Sequence, residues 1–288
     1  YDYSARFSTD AGQKYTIDTA GQNVSFVDEA GLTSSGGTLT KLGAGTLTLA
    51  GPSTYSGATT VSAGKLVFQG TKSGNGTISV ADNAAVAVFA TGSQVTPSTL
   101  TLGTVVGAIL EFESISSTTV APLAAGTITA AGTVTINVNS GSMSPGNSYP
   151  LLSWTSGSAP AVTLGILNGF IGNLTTNGNS IRLNVTESAY RWTGNNNGSW
   201  DTTTANNWQR DGSPVLFANG GSAVFDDTVT GTTDVTVSGT VLPATVTFNN
   251  GNSSYTLATS VGSGIGGTAT VTKTGNGTVV LNGGGSTY

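Results

Sequence analysis

The fold class that the sequence predicts is all-β: a parallel β-solenoid of short stacked strands, with β-sandwich modules as the runner-up. Three observations carry this. Apolar residues alternate with Thr, Ser or Asn, as in Gly45-Thr-Leu-Thr-Leu-Ala-Gly51, Gly132-Thr-Val-Thr-Ile-Asn-Val138 and Ile181-Arg-Leu-Asn-Val185. Such a period of two marks strands with one dry and one wet face. Glycine, 42 of 288 residues, punctuates the strands, because corners between them often need positive φ. By strand count a sandwich and a solenoid fit equally well; internal repeats favour the solenoid.

Composition closes other routes. Glycine never falls at every third position and only 8 prolines occur, which excludes collagen. The 42 glycines and 49 threonines exclude a long-helix protein. Net charge is −5, with 9 basic and 14 acidic residues, so no basic stripe exists for nucleic acid. No apolar run, Val105 to Leu110 among them, approaches a membrane helix, which needs about 20 residues. This segment is expected to insert into no membrane. No Cys occurs, so no disulfide or thiolate–metal framework is expected, and no cofactor. The absence of a signal peptide or initiator Met leads to the expectation that Tyr1 is a processed or excised start.

In chain order, Tyr15-Thr-Ile17 is an early strand, with Tyr255-Thr-Leu257 as its expected counterpart near the other end. Gly45–Gly51, Ala58–Gly64 and Lys65–Phe68 follow as strand, bend, strand, corner, strand, about the size of one coil of a triangular β-helix. Gly76–Val80, Ile109–Glu113, Gly132–Val138 and Ile181–Val185 continue the alternation, and Asp234–Ser238 and Ala244–Phe248 resume it. Thr38–Gly51 (TLTKLGAGTLTLAG) returns as Thr270–Gly283 (TVTKTGNGTVVLNG), 232 residues later and identical at 8 of 14 positions. Ser53-Thr-Tyr55 then returns as Ser286-Thr-Tyr288. The chain is expected to be a piece of a longer tandem array.

These residues resemble the autotransporter-associated β-strand repeat, also called the passenger-associated transport repeat. The pattern runs through Gly43, Gly45, Leu47, Leu49, Gly51, Tyr55, Gly57, Val61, Gly64 and Leu66, and a truncated copy through Gly275, Gly277, Leu281 and Tyr288. A block with Trp192, Trp200 and Trp208, followed by Ala223–Asp227, looks like the opening of a new long unit in such proteins, and Gly146–Trp154 like the close of the preceding one. The resemblance implies a right-handed β-helix passenger, exported by a bacterium and displayed outside the cell. The expected domains are residues 1–188, a β-helix unit with the repeat at 37–68, and residues 189–288. The latter start a second unit, with the Trp block at 190–227 and the truncated repeat at 268–288. Nothing in the chain looks like the translocator barrel. A cysteine-free chain suits export in an unfolded state, with coils then folding on their neighbours.

Candidate sites are few. Without His or Cys the commonest general base and the thiolate nucleophile are missing. Glu111 and Glu113 flank Phe112 and would share a strand face at a spacing of about 6.6 Å, which suits an inverting carboxylate pair. The competing reading is a solvated pair on the wet face. Asp226 and Asp227 suggest oxygens for Ca²⁺, against an ordinary turn. Exposed, Trp192, Trp200 and Trp208 would stack on sugar rings with Asn195, Asn196 and Asp201 as hydrogen-bonding partners. Buried, they would form a packing cluster, the favoured reading. Lys41 and Lys273 are expected to be edge or bend charges that discourage sideways pairing. Gly262–Gly267 carries no phosphate-loop meaning, because no helix follows it.

The leading expectation is a non-enzymatic structural segment of an extracellular stalk or filament, assembling head-to-tail with copies of itself or with adjoining units of one long chain. The first alternative is an adhesin that binds glycan or a surface through the Trp block. The second is a polysaccharide-cleaving β-helix enzyme.

Overall fold

The computed structural model describes residues 7–27, 31–91, 94–139, 141–167, 169–204 and 206–287. Tyr1 and Tyr288 therefore lie outside the described residues. Every regular element among these is a strand. The chain forms two units, Tyr1–Leu167 with Gly172–Thr186, and Asn168–Ile171 with Glu187–Tyr288.

The first unit is a parallel β-solenoid. Successive strands alternate between two sheets, so each coil adds one rung to both. The first sheet stacks Lys14–Asp18, Thr38–Leu42, Thr59–Val61, Ile78–Val80, Thr99–Leu102, Leu123–Ala130 and Ser148–Ser156, all parallel. The seven-stranded second sheet stacks Val24–Phe26, Thr46–Leu49, Lys65–Phe68, Ala85–Phe89, Ile109–Glu113, Thr133–Val138 and Ala161–Leu167. Parallel pairing of strands one coil apart overturns the β-sandwich runner-up, whose neighbouring strands would run antiparallel. The third side is less regular than a triangular coil of three strands: it holds isolated bridges such as Ser53 with Lys72.

Alternation becomes columns. Val24, Leu47, Leu66, Val86, Leu110 and Ile136 lie in register down the second sheet, with Phe26, Leu49, Phe68, Val88, Phe112 and Val138 beside them. Leu47, Leu66, Val86, Phe112, Ile136 and Val138 are each 0 % exposed. The hydroxyl partners face outward, where water satisfies them. Corner glycines allow the coils to touch: Gly45 has φ +89°, and a Cβ there would strike the carbonyl of Gln22 in the coil above. At the end of this unit the stacking rule changes, as Ser148–Ser156 pairs antiparallel with Ser180–Ser188. The returning hairpin ends parallel growth of the first sheet.

The second unit begins with an antiparallel meander, Tyr190–Trp192 on Trp208–Arg210 on Ser213–Val215. It then turns parallel. Ser222–Asp226, Thr245–Asn249 and Thr270–Thr274 stack on one side. Ser199–Trp200, Asp234–Val237, Tyr255–Ala258 and Val279–Asn282 stack on another. The register corrects one expected equivalence. Tyr15 lies against Leu39, and the residue against Val271, the counterpart of Leu39, is Val246. Tyr255 lies against Val279, the counterpart of Leu47, so it matches Val24 and not Tyr15. The shared Tyr-Thr pattern misled because strands on either side of a coil carry the same alternation.

Candidate functional sites

The tryptophan block is a core. Trp192, Trp200 and Trp208 are each 0 % exposed. Trp208 meets Trp192 and Trp200 edge-on at 5.1 Å each, Phe217 at 5.0 Å and Phe225 at 5.2 Å. Phe225 then stacks on Phe248 at 4.7 Å, carrying the aromatic column into the parallel coils. Each such pair adds about 0.5–1.5 kcal/mol beyond its area burial. The indole N–H of Trp192 donates to the carbonyl of Thr232 at 2.8 Å. These rings are closed to a sugar, which corrects the idea that they form a stacking platform; packing is their role.

The polar residues around them also work inward. Asp201 accepts from the amides of Thr203 and Thr204 at 2.8 and 2.7 Å, and from the hydroxyls of Ser199 and Thr204. It closes a turn and is buried, so it is not a surface ligand for glycan. Asn195 is exposed and accepts from Thr230 Oγ1 at 2.9 Å. Asn196 donates its backbone amide to Asn207 Oδ1. Asn207 was not singled out from the sequence, yet it is the staple of the block. Fully buried, it accepts from the amides of Asn196 and Asn197 and donates to Asn197 Oδ1 and the carbonyl of Ser199. Its place immediately before Trp208 was the available signal.

Lys41 is a buried clamp on the bend that follows it, which corrects its assignment as an edge charge. Lys41 is 0 % exposed and stands in the inward column between Ile17 and Val61. Its ammonium donates to the carbonyls of Leu42, Gly43 and Ala63 at 2.9, 2.7 and 3.1 Å. Burial lowers its pKa, and Asp18 opposes that shift. Lys273 repeats the grip on the carbonyls of Thr274 and Gly275, at 2.6 and 2.9 Å, and is itself exposed. A second buried lysine, Lys72, was missed. It donates to the carbonyls of Tyr55 and Gly74 and lies 4.1 Å from the centre of the Tyr55 ring. Desolvation lowers its pKa to about 8.

The aspartates cap coils. Asp226 is buried, with Arg191 Nε 3.1 Å from its Oδ2. Asp227 accepts from the amides of Gly251, Asn252 and Ser253 in the next coil. Burial pushes its pKa up, but those donors hold it below the ordinary carboxylate value. Oxygens engaged by N–H donors face away from the role of a cation cage, which corrects the Ca²⁺ reading. Asp82 does the same for the turn at 104–107, and its pKa is held low by the Thr104 hydroxyl and by the turn amides. Among the described residues no group of three or more His, Cys, Asp or Glu side chains is placed to hold a metal.

Glu111 and Glu113 do share the outer face of the second sheet. Glu111 pairs with Lys65 at 2.8 Å, and Glu113 accepts from Asn139 Nδ2 at 2.8 Å. The Lys65 bridge spans an intervening strand whose outward residues include Ala85 and Ala87.

Compared with known families, the chain matches the passenger-associated transport repeat twice, over residues 39–68 and 271–288. No curated protein and no solved structure matches the chain. The first match spans two coils, Thr38–Leu42 with Thr46–Leu49 and then Thr59–Val61 with Lys65–Phe68, whereas the second holds one, Thr270–Thr274 with Val279–Asn282; each begins at a strand that carries the repeat lysine.

Proposed function

The chain carries the passenger-associated transport repeat on a parallel β-solenoid, and we propose that it is a non-enzymatic structural segment of a bacterial surface passenger, lengthening an extracellular stalk coil by coil. Each coil adds a rung of about 4.8 Å. A chain with 9 basic residues in 288 offers few sites to trypsin-like proteases outside the cell. Buried aromatic rings in the Trp block support a structural reading over an adhesive one for that block.

The observation that carries this reading is the open edge of the second repeat. In the first copy, Thr59–Val61 and Lys65–Phe68 cover the two repeat strands. In the second, no described strand pairs with the far side of Thr270–Thr274 or Val279–Asn282, and Leu281 is 52 % exposed. Such an edge is a template for further pairing, as the strands of the first copy show by accepting the next coil. The test is to append the first copy's covering sequence, residues 56–68, after residue 288 and follow amide exchange. Slower exchange across Val279–Asn282 is expected. Unchanged exchange, with the appended residues unprotected, would refute stacking at this edge.

A further inference from the structure

Apart from stalk-building, we propose that the first unit binds a neutral oligosaccharide, seated across two hollows that share Phe89 in their lining, one on the outer face of the second sheet and one beside residues 115–122. The strand Ala85–Phe89 creates the relief. Val86 and Val88 point inward at 0 and 1 % exposure, which sends Ala85, Ala87 and Phe89 outward. Ala85 lies beside Lys65 and Ala87 beside Glu111, and the Lys65–Glu111 bridge crosses over them. The small alanines leave a hollow with Ala87, Lys65 and Glu111 in its lining.

The first hollow, about 300 Å³, is lined by Thr48, Lys65, Gln69, Glu111 and Glu113 as well as Ala87 and Phe89. The second, about 260 Å³, shares Phe89 and is otherwise lined by residues off that sheet, among them Gln94, Ser116, Ser117, Pro122 and Pro150. Neither exceeds the lower end of ligand-pocket sizes, about 300–1,000 Å³, so each suits one small ring rather than a large ligand.

The chemistry selects the ligand. Carboxylates accept hydrogen bonds, amides and the ammonium donate them, and hydroxyls of Thr48, Ser116 and Ser117 do both. A half-exposed phenyl ring shared by the hollows offers an apolar surface to the C–H face of a sugar ring. Lys65 and Asn139 hold Glu111 and Glu113 in place before any ligand arrives, which reduces the ordering cost of binding. Two carboxylates against one lysine leave the first hollow negative, so a neutral chain is favoured over a uronate.

The experiment titrates the full chain with cellohexaose, laminarihexaose and N-acetylated chitohexaose, with hexagalacturonate as the anionic comparison, by calorimetry. At least one neutral probe is expected to bind with Kd below about 10 mM, and more tightly than the uronate. Phe89→Ala and, separately, Thr48→Arg, which fills the first hollow from its rim, should each weaken binding by about tenfold or more. Melting temperature is recorded for both variants. If Phe89→Ala lowers it, Thr48→Arg decides. The proposal is overturned if no neutral probe binds, if the uronate binds best, or if the deciding variant leaves affinity unchanged.

Discussion

In the first copy of the repeat, Leu39, Lys41, Leu47 and Leu49 are 0–2 % exposed; in the second, Lys273 is exposed and Leu281, the counterpart of Leu49, is 52 % exposed. The local sequence is identical at 8 of 14 positions, and each copy lies parallel on a coil above it, though on different residues. Leu39 lies on Tyr15 as Val271 lies on Val246, and Leu47 lies on Val24 as Val279 lies on Tyr255. The difference in kind is below: the first copy carries a further coil, Thr59–Val61 with Lys65–Phe68, and no described strand pairs there with the second. The repeat therefore shapes a coil without burying it. Burial comes from two neighbours, which is how a quasi-one-dimensional protein distributes its stability.

The strongest way to break this comparison is truncation of a matched leucine pair. Leu49→Ala removes a side chain held between Phe26 and Phe68 in the column and should cost about 2–5 kcal/mol. Leu281→Ala removes one that is half in water and should cost under about 1 kcal/mol. Urea unfolding of the two variants, followed by a probe in each unit, measures both. Equal losses would show that the second copy is buried by something other than a following coil.

A smaller contrast is expected for the lysine clamp. Lys41→Met keeps the length of the side chain but leaves the carbonyls of Leu42, Gly43 and Ala63 without that donor. A loss on the order of 1–3 kcal/mol follows. At Lys273 the freed carbonyls of Thr274 and Gly275 lie beside an exposed side chain, where water replaces the donor, so Lys273→Met should cost about 0.5 kcal/mol or less. Thermal melts of each variant decide this. A neutral Lys41→Met would mean that the buried charge costs as much as its hydrogen bonds return.

How much of this was legible depends on what kind of signal each feature leaves. Alternation announces strands, and the repeat announces that they stack, so the solenoid followed from residues such as Leu47, Leu49 and Leu66. Alternation does not say which sheet a strand joins, which is why Tyr255 was matched to Tyr15 rather than to Val24. Charge was misread most. A lysine in a Thr-Leu-Thr-Lys strand looks solvated, but the inward column passes through Lys41, and corner carbonyls, which have no sequence signature, make that position tolerable. Asp227 and Asp82 were opaque for the same reason, since their partners are backbone amides in the next coil. The hollow beside Phe89 depends on Ala87 lying between Val67 and Glu111, a neighbourhood that exists only once the coils are in register.

The subtlest expected effect concerns Lys72, which belongs to the coil that covers the first copy and donates to the carbonyl of Tyr55. Desolvation places its folded pKa at about 8, below the ordinary 10.5. Between those values the unfolded chain binds the proton and the folded chain does not, so stability rises with pH through that window. Below pH 8 the burial penalty is fully present; above 10.5 it is gone. The gain is on the order of 1–3 kcal/mol. Tyr55 pulls the other way, because burial raises its pKa and favours the folded state less once the unfolded phenol ionises near pH 10. The window between pH 8 and 10 therefore separates the buried lysines from the tyrosine; Lys41, whose pKa burial also lowers, adds to the same limb. Denaturant titrations of the wild type should show stability climbing there, and Lys72→Met should make that limb shallower while leaving the fall above pH 10. A limb as steep in Lys72→Met as in the wild type would assign it to another group and remove Lys72 from the features that distinguish a covered repeat from an open one.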